Sequence, residues 1–343
     1  MNQKRSEAMS DGVDLKPGAQ IAVETCLGIS SADRVIVFTD APTRAIGNAL
    51  VEAARACGAQ VAVKLLEDIG TRPLLKVPAS LWSFLDEFAP TATFYAASGE
   101  KGEILFRIPL IETLNEKYNV RHGHMIGVTP EIMATGMRAD YEKVAQRTHE
   151  VYAIVKDAKS IRVTNPTGTD LTGYFDSTRL KWVIWDGLYH QQGRWGNLPE
   201  GETFTSPVRV EGRISASIMG DFFSHKYGLL SEPMQLEIQD GLLVGCAHSN
   251  RMMADEFWTY LDGVENGRRI GEFAVGTNEF LGRLIGNLLQ DEKYPGVHVA
   301  FGNPYARYTG ATWESPVHVD VVMERTSVWV DDRQIMADGQ FIY

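Results

Sequence analysis

Four side chains in the last third of the chain are of the types that hold a divalent cation: Glu272 in GEFAVGTN, His298 in GVHVAFGN, and His318 with Asp320 in SPVHVDVV. Mixed imidazole and carboxylate donors suit a zinc-like or iron-like ion. Side chains two apart on a strand share a face, so the alternation from Pro316 to Val321 aims His318 and Asp320 the same way, and they can grip one ion together. Val297 to Phe301 reads as a second short strand, with His298 as its polar residue among apolar ones. Burying these groups without a counter-ion is costly, which turns four individually ordinary residues into a candidate metal site. A further acid, Glu202, stands in NLPEGETFTSP, a turn leading into a strand.

The elements that must position these residues fall into two halves. Arg34 to Asp40 is an apolar run of buried-strand length. Pro42 then starts a helix that runs through Ala56, Gly58 stops it, and Gln60 to Leu65 forms the next strand, giving one βαβ unit. Thr91 to Ala97 and His124 to Val128 read as further parallel strands, with a helix from Gly102 to Tyr118 between them. No G-x-G-x-x-G follows the first strand, so no nucleotide cofactor is expected there. A helix from about Asp140 to Asp157 closes this half. From Ser160 onward, short alternating segments lie between glycine and proline turns: Ser160 to Thr164, Val208 to Ile218 and Met234 to Val244. Helices near 250–261 and 279–289 interrupt them, and a hairpin from Thr326 to Phe341 turns at Asp331-Asp332. The predicted architecture is an α/β domain with a parallel sheet over 1–157, followed by a β-rich α+β metal-binding domain over 158–343.

Other chemistry is weaker. His122 and His124 form an H-x-H just before the predicted apolar strand, where a loop-exit role outweighs metal binding, and His190 precedes QQGRW and is a candidate to line a pocket. His149, His225 and His248 have no supporting partner nearby in sequence. There is no G-x-S-x-G elbow, and the three cysteines show no CxxC spacing, which fits small core residues in a reducing compartment.

With 343 residues, 44% hydrophobic and 10% aromatic, the chain is long enough for a well-packed core, and its net charge of -11 gives no basic patch for nucleic acid or an anionic membrane. The N-terminus lacks an apolar leader and no stretch reaches the ~20 apolar residues of a membrane span. A cytoplasmic protein acting on peptides or small molecules is expected.

The motif set resembles the metallopeptidase family that includes aminopeptidase T and aminopeptidase S. The matching segments are TNPTGTDLT (Thr164 to Thr172), Gly193 to Pro207, GEFAVGTN (Gly271 to Asn278), His298 to Tyr305, and His318 to Asp320. The resemblance implies Glu202, Glu272, His298, His318 and Asp320 as ligands of two divalent ions (zinc, cobalt or manganese). It also implies Tyr305 as a polarising or proton-donating group, Glu202 as a proton shuttle, and a homodimer or higher oligomer. Relatives on this fold include 2,5-dihydroxypyridine dioxygenases, which use one ferrous ion, and a nitroanthranilate aminohydrolase, so action on a small aromatic is the alternative. In the dioxygenases a histidine, in S-H-I-G-x-G, stands where this chain has Glu272, which favours a hydrolase here. A non-catalytic binding protein is disfavoured because all five ligands are present.

Overall fold

The computed structural model describes residues 12–220 and 222–343. Among these, 12–142 together with Gly187–Glu200 form one unit, and Lys143–Asp186 together with Gly201–Tyr343 form another. The first unit is built on a five-stranded parallel sheet in the spatial order Gln60–Leu65, Arg34–Thr39, Ala92–Ala96, Arg121–His124, Trp195–Asn197. Helix Arg44–Ala56 starts two residues after Pro42 and buries Ile46, Leu50, Val51 and Ala54, an i, i+4, i+5, i+8 stripe. The chain returns to this sheet late, when Trp195–Asn197 adds the edge strand beside His122 and His124.

One detail of this unit differs from the sequence expectation. The fourth strand is not the apolar run at 124–128 but the polar RHGH before it, Arg121–His124, and all four residues are buried. Polar side chains are tolerated there because each has a partner: His122 Nδ1 lies 2.7 Å from Thr93 Oγ1, and Arg121 reaches Asp33 and the Leu27 carbonyl. His122 and His124 are thus strand residues, not a loop exit. The carboxyl ends of the first and third strands, where sheets of this kind hold ligands, carry an ion cluster. Asp40 accepts from Ser98, Thr43 and Arg72, and Arg72 also pairs with Glu103.

The second unit stacks two antiparallel sheets. Eight strands drawn from 160–174, 209–216, 234–247 and 327–341 form one; six form the other, in the order Ile218–Met219, His318–Val322, Gly296–Gly302, Ile270–Gly276, Glu202–Thr205, Val183–Trp185. A single apolar core joins them, in which Val163, Leu171, Ile214, Leu236 and Val328 of the larger sheet meet Phe273, Val299, Phe301 and Val321 of the smaller. Helix Arg251–Asp262 adds Phe257 to it. The fold is therefore the predicted one, a parallel α/β region followed by a β-rich one. No helix of the described residues is long and apolar enough to cross a membrane.

Two predicted elements of this unit are different. Met234 to Val244 is a hairpin rather than one segment, because Asp240 and Gly241 take φ of 51° and 76° and turn Met234–Gln239 back into Leu242–Ala247. The helix expected over 279–289 is mostly loop, and only Leu288–Asp291 is helical. Asp291 explains this: its carboxylate accepts the N–H groups of Ile285, Gly286 and Asn287, offering the backbone an alternative to helical bonds, and Gly286 sits at φ 83°.

Candidate metal centre

The six-stranded sheet places the candidate ligands by register. Glu272, Ala300 and Asp320 are directly opposite one another on three neighbouring strands, Gly302 is opposite His318, Ala274 is opposite both His298 and Phe204, and Gly276 is opposite Glu202. Directly paired residues share a face. One face therefore carries Glu202, Glu272, His298, His318 and Asp320 interleaved with Gly276, Ala274, Ala300 and Gly302, while the reverse face supplies Phe273, Val275, Val299, Phe301, Val319 and Val321 to the core. The small residues give the long ligand side chains room to lean together. Gly302 has a second duty: at φ 96°, a Cβ there would overlap the Val317 carbonyl oxygen, so only glycine lets the His298 and His318 strands approach at this point.

All five predicted ligands converge. His298 Nε2 lies 3.4 Å from Glu202 Oε2, 3.5 Å from Glu272 Oε1 and 3.9 Å from Asp320 Oδ1. His318 Nε2 lies 3.5 Å from Asp320 Oδ1 and 3.9 Å from Glu272 Oε2. The donors sort into two groups, Glu202 with Glu272 and His298, and Glu272 with His318 and Asp320, each with its ligand atoms within 4.8 Å of one another. Glu272 belongs to both. His318 Nδ1 is 2.9 Å from the Asn303 carbonyl, a bond that fixes the proton on Nδ1 and turns Nε2 toward the carboxylates.

The electrostatics are those of a cation site. Burial opposes the charged form of His298, but the Glu272 hydrogen bond and the Glu202 and Asp320 charges lift it to about 9. His318 is lifted against burial to about 10, chiefly by Asp320. Burial raises Asp320, and the two imidazoles and Lys293 outweigh it and hold the carboxyl low. Glu272 Oε2 is buried without a hydrogen-bond partner, which a neutral packing role would not leave. Three buried carboxylates, two imidazoles and this orphaned oxygen fit divalent ions.

Tyr305 stands at the edge of the site in the left-handed region (φ 50°, ψ 53°), its ring 4.5 Å from that of His318. Burial, then the charges of Glu272 and Asp320, push its hydroxyl well above the usual tyrosine range, so it remains a proton donor. It continues into an aromatic wall, Phe204, Trp185 and Tyr308, with Trp185 centred 5.0 Å from Phe204 and 6.0 Å from Tyr308. His318 is the more open ligand, with 20% of its side chain exposed against 4% for Glu202.

The remaining histidines are elsewhere. His122 and His124 lie in the first unit, where burial alone drives His122 down to about 3. His190, also in that unit, bonds the Thr25 carbonyl through Nε2 at 2.6 Å. His149, which had no partner in sequence, has one in space: Asp186 Oδ2 at 3.1 Å. Sequence reasoning missed Lys293 and Glu292. Lys293 Nζ is 2.7 Å from Glu202 Oε1 and 2.8 Å from Glu292 Oε1, with 1% of its side chain exposed. In DEKYPG they look like an ordinary charged turn, and the one signal was their place just before the His298 strand.

The thermophilic metalloprotease (M29) family matches over residues 132–341. Two solved structures share the fold over nearly the whole chain. Wild-type AmpT from Thermus thermophilus is 19% identical, with a TM-score of 0.71, covering 96% of this chain and 99% of its own. A 2,5-dihydroxypyridine dioxygenase from Pseudomonas putida KT2440 is 18% identical, with a TM-score of 0.69 and 96% coverage of both chains. No curated protein sequence matches significantly.

Proposed function

The chain belongs to the thermophilic metalloprotease (M29) family, and from that premise we propose that it is an aminopeptidase-like hydrolase dependent on two divalent ions. The observation that carries this reading is the pair of donor groups sharing Glu272 on one sheet face. Glu202, Glu272 and His298 would hold one ion, and Glu272, His318 and Asp320 the other, with zinc, cobalt or manganese the ions of choice for these donors. When bound, such ions supply Lewis acidity, lowering the pKa of water toward neutrality and polarising a carbonyl oxygen.

The chain's own residues supply the rest. Tyr305, kept protonated by its surroundings, donates a hydrogen bond to the oxygen on which negative charge develops. Glu202 would serve as an ion ligand rather than as the expected proton shuttle, because its Oε1 is held by the Lys293 ammonium at 2.7 Å and its Oε2 faces His298. Phe204, Trp185 and Tyr308 present an apolar wall beside Tyr305 for a substrate side chain. The carboxylate of Glu272 favours this chemistry over oxygen activation, because it can neutralise two ions at once, whereas an imidazole there would suit a single ferrous ion with open positions.

Metal analysis after gentle purification, followed by assay of aminoacyl anilides under anaerobic conditions with zinc, cobalt or manganese, tests the reading. Two ions per chain and amine release without oxygen are expected. One iron per chain, with ferrous-dependent oxygen uptake and cleavage of a dihydroxylated ring, would overturn it.

A further inference from the structure

The two donor groups are not equivalent, and Lys293 is the reason. Glu202 belongs to one group alone, and its Oε1 is held by the Lys293 ammonium at 2.7 Å while its Oε2 faces His298. Glu292 Oε1, at 2.8 Å, grips the same ammonium. The lysine backbone is tied down as well: its N–H donates to the Gln290 carbonyl, and its carbonyl accepts from Asn278, just past the Glu272 strand. A lysine this deeply buried and doubly paired sets a cation directly against Glu202. A divalent ion bound to Glu202, Glu272 and His298 must share Glu202 with that charge. In the group of Glu272, His318 and Asp320 the same charge also acts on Asp320, but less than the two imidazoles do.

We propose that Lys293 is a positioning residue that makes ion loading sequential. The Glu272, His318 and Asp320 group fills first and tightly; the Glu202, Glu272 and His298 group fills second and more weakly, because the ammonium already neutralises part of Glu202 and repels the incoming ion. Glu292 keeps the ammonium partly compensated, so the second ion is weakened and not excluded. The chain would then pass from a one-ion to a two-ion form as the supply of divalent metal rises, a regulation of the same site. This rests on the metal-centre reading above.

Metal-free protein titrated with cobalt(II) chloride, followed by calorimetry and by visible cobalt absorption, tests it without recourse to activity. In the wild-type protein two steps are expected, the second weaker by about tenfold or more. In Lys293→Met the second association constant should rise by about tenfold or more and the first by clearly less, so that the steps draw together. A second constant that does not move, or two constants that rise together as a general charge effect would make them, overturns the proposal. Should Lys293→Met fail to fold, Glu292→Gln decides: it leaves the ammonium to Glu202 alone, and the second step should weaken by more than the first. A second step unchanged or strengthened in that variant overturns the proposal. Two cobalt ions entering wild-type protein in one unresolved step would refute the role of Lys293 and leave the metal centre standing; no cobalt uptake at all would refute both.

Discussion

Loading the site with metal should expel protons, in a number the structure sets. His298 and His318 are held at about 9 and about 10 when no ion is present, so both are protonated at neutral pH, and each must lose its proton before Nε2 can serve as a ligand. At pH 7.5 this proton loss opposes ion binding at both imidazoles, more at His318 than at His298. Ion affinity should therefore climb by about tenfold per pH unit per imidazole from pH 7 to 9 and level off near 10. Calorimetric titration of the metal-free protein with zinc chloride at pH 7.5, in buffers of different ionisation enthalpy, counts the protons directly. About two per chain from the imidazoles are expected, and His298→Ala should remove about one. Imidazoles at the ordinary value of about 6.5 would release only ~0.2 together; a release that small, or one unaffected by His298→Ala, refutes the argument. Stability gives the sign independently. Both folded values lie above the unfolded one, so the imidazoles' contribution to the metal-free fold is complete below about pH 6.5 and is lost as pH rises through 9 and 10. The melting temperature of metal-free protein should fall across that window.

Two substitutions probe other parts of the molecule. Tyr305→Phe should retain both ions and lower kcat by about 10²-fold with little change in KM, as expected of a donor used in the transition state; metal loss in the variant would make Tyr305 a ligand instead. Arg72→Met removes the cation shared by Asp40 and Glu103, whose side chains are 0% and 1% exposed, and should cost about 3–5 kcal/mol in urea unfolding. A loss under about 1 kcal/mol would place that cluster among weak surface pairs.

The pairing of His318 with Asp320 was legible because a strand puts them on one face whatever lies around it, whereas Glu202 joined the ligand set only through the family resemblance. What could not be read depends on contacts distant in sequence. The RHGH strand is polar yet wholly buried, and only its partners on the neighbouring strand, Thr93 above all, make that tolerable. The helix expected over 279–289 had suitable apolar spacing, but one carboxylate, Asp291, captured three of its backbone N–H groups. Lys293 and Glu292 are the sharpest case, since a charged pair in a turn is exposed by default and nothing nearby in sequence announces Glu202 as its partner.

These failures bear on function because they fall where a polar group is buried at a cost to stability. Glu272 Oε2 without a donor and a lysine sealed beneath Glu202 are each costly in the metal-free chain. A sheet face designed only to pack would carry valine at those positions, as its reverse face does at Val275, Val299, Val319 and Val321. Retaining acids and imidazoles on one side of strands so apolar on the other makes sense when cations bind the folded state, since their binding energy then stabilises it by mass action and offsets the cost of burying those groups.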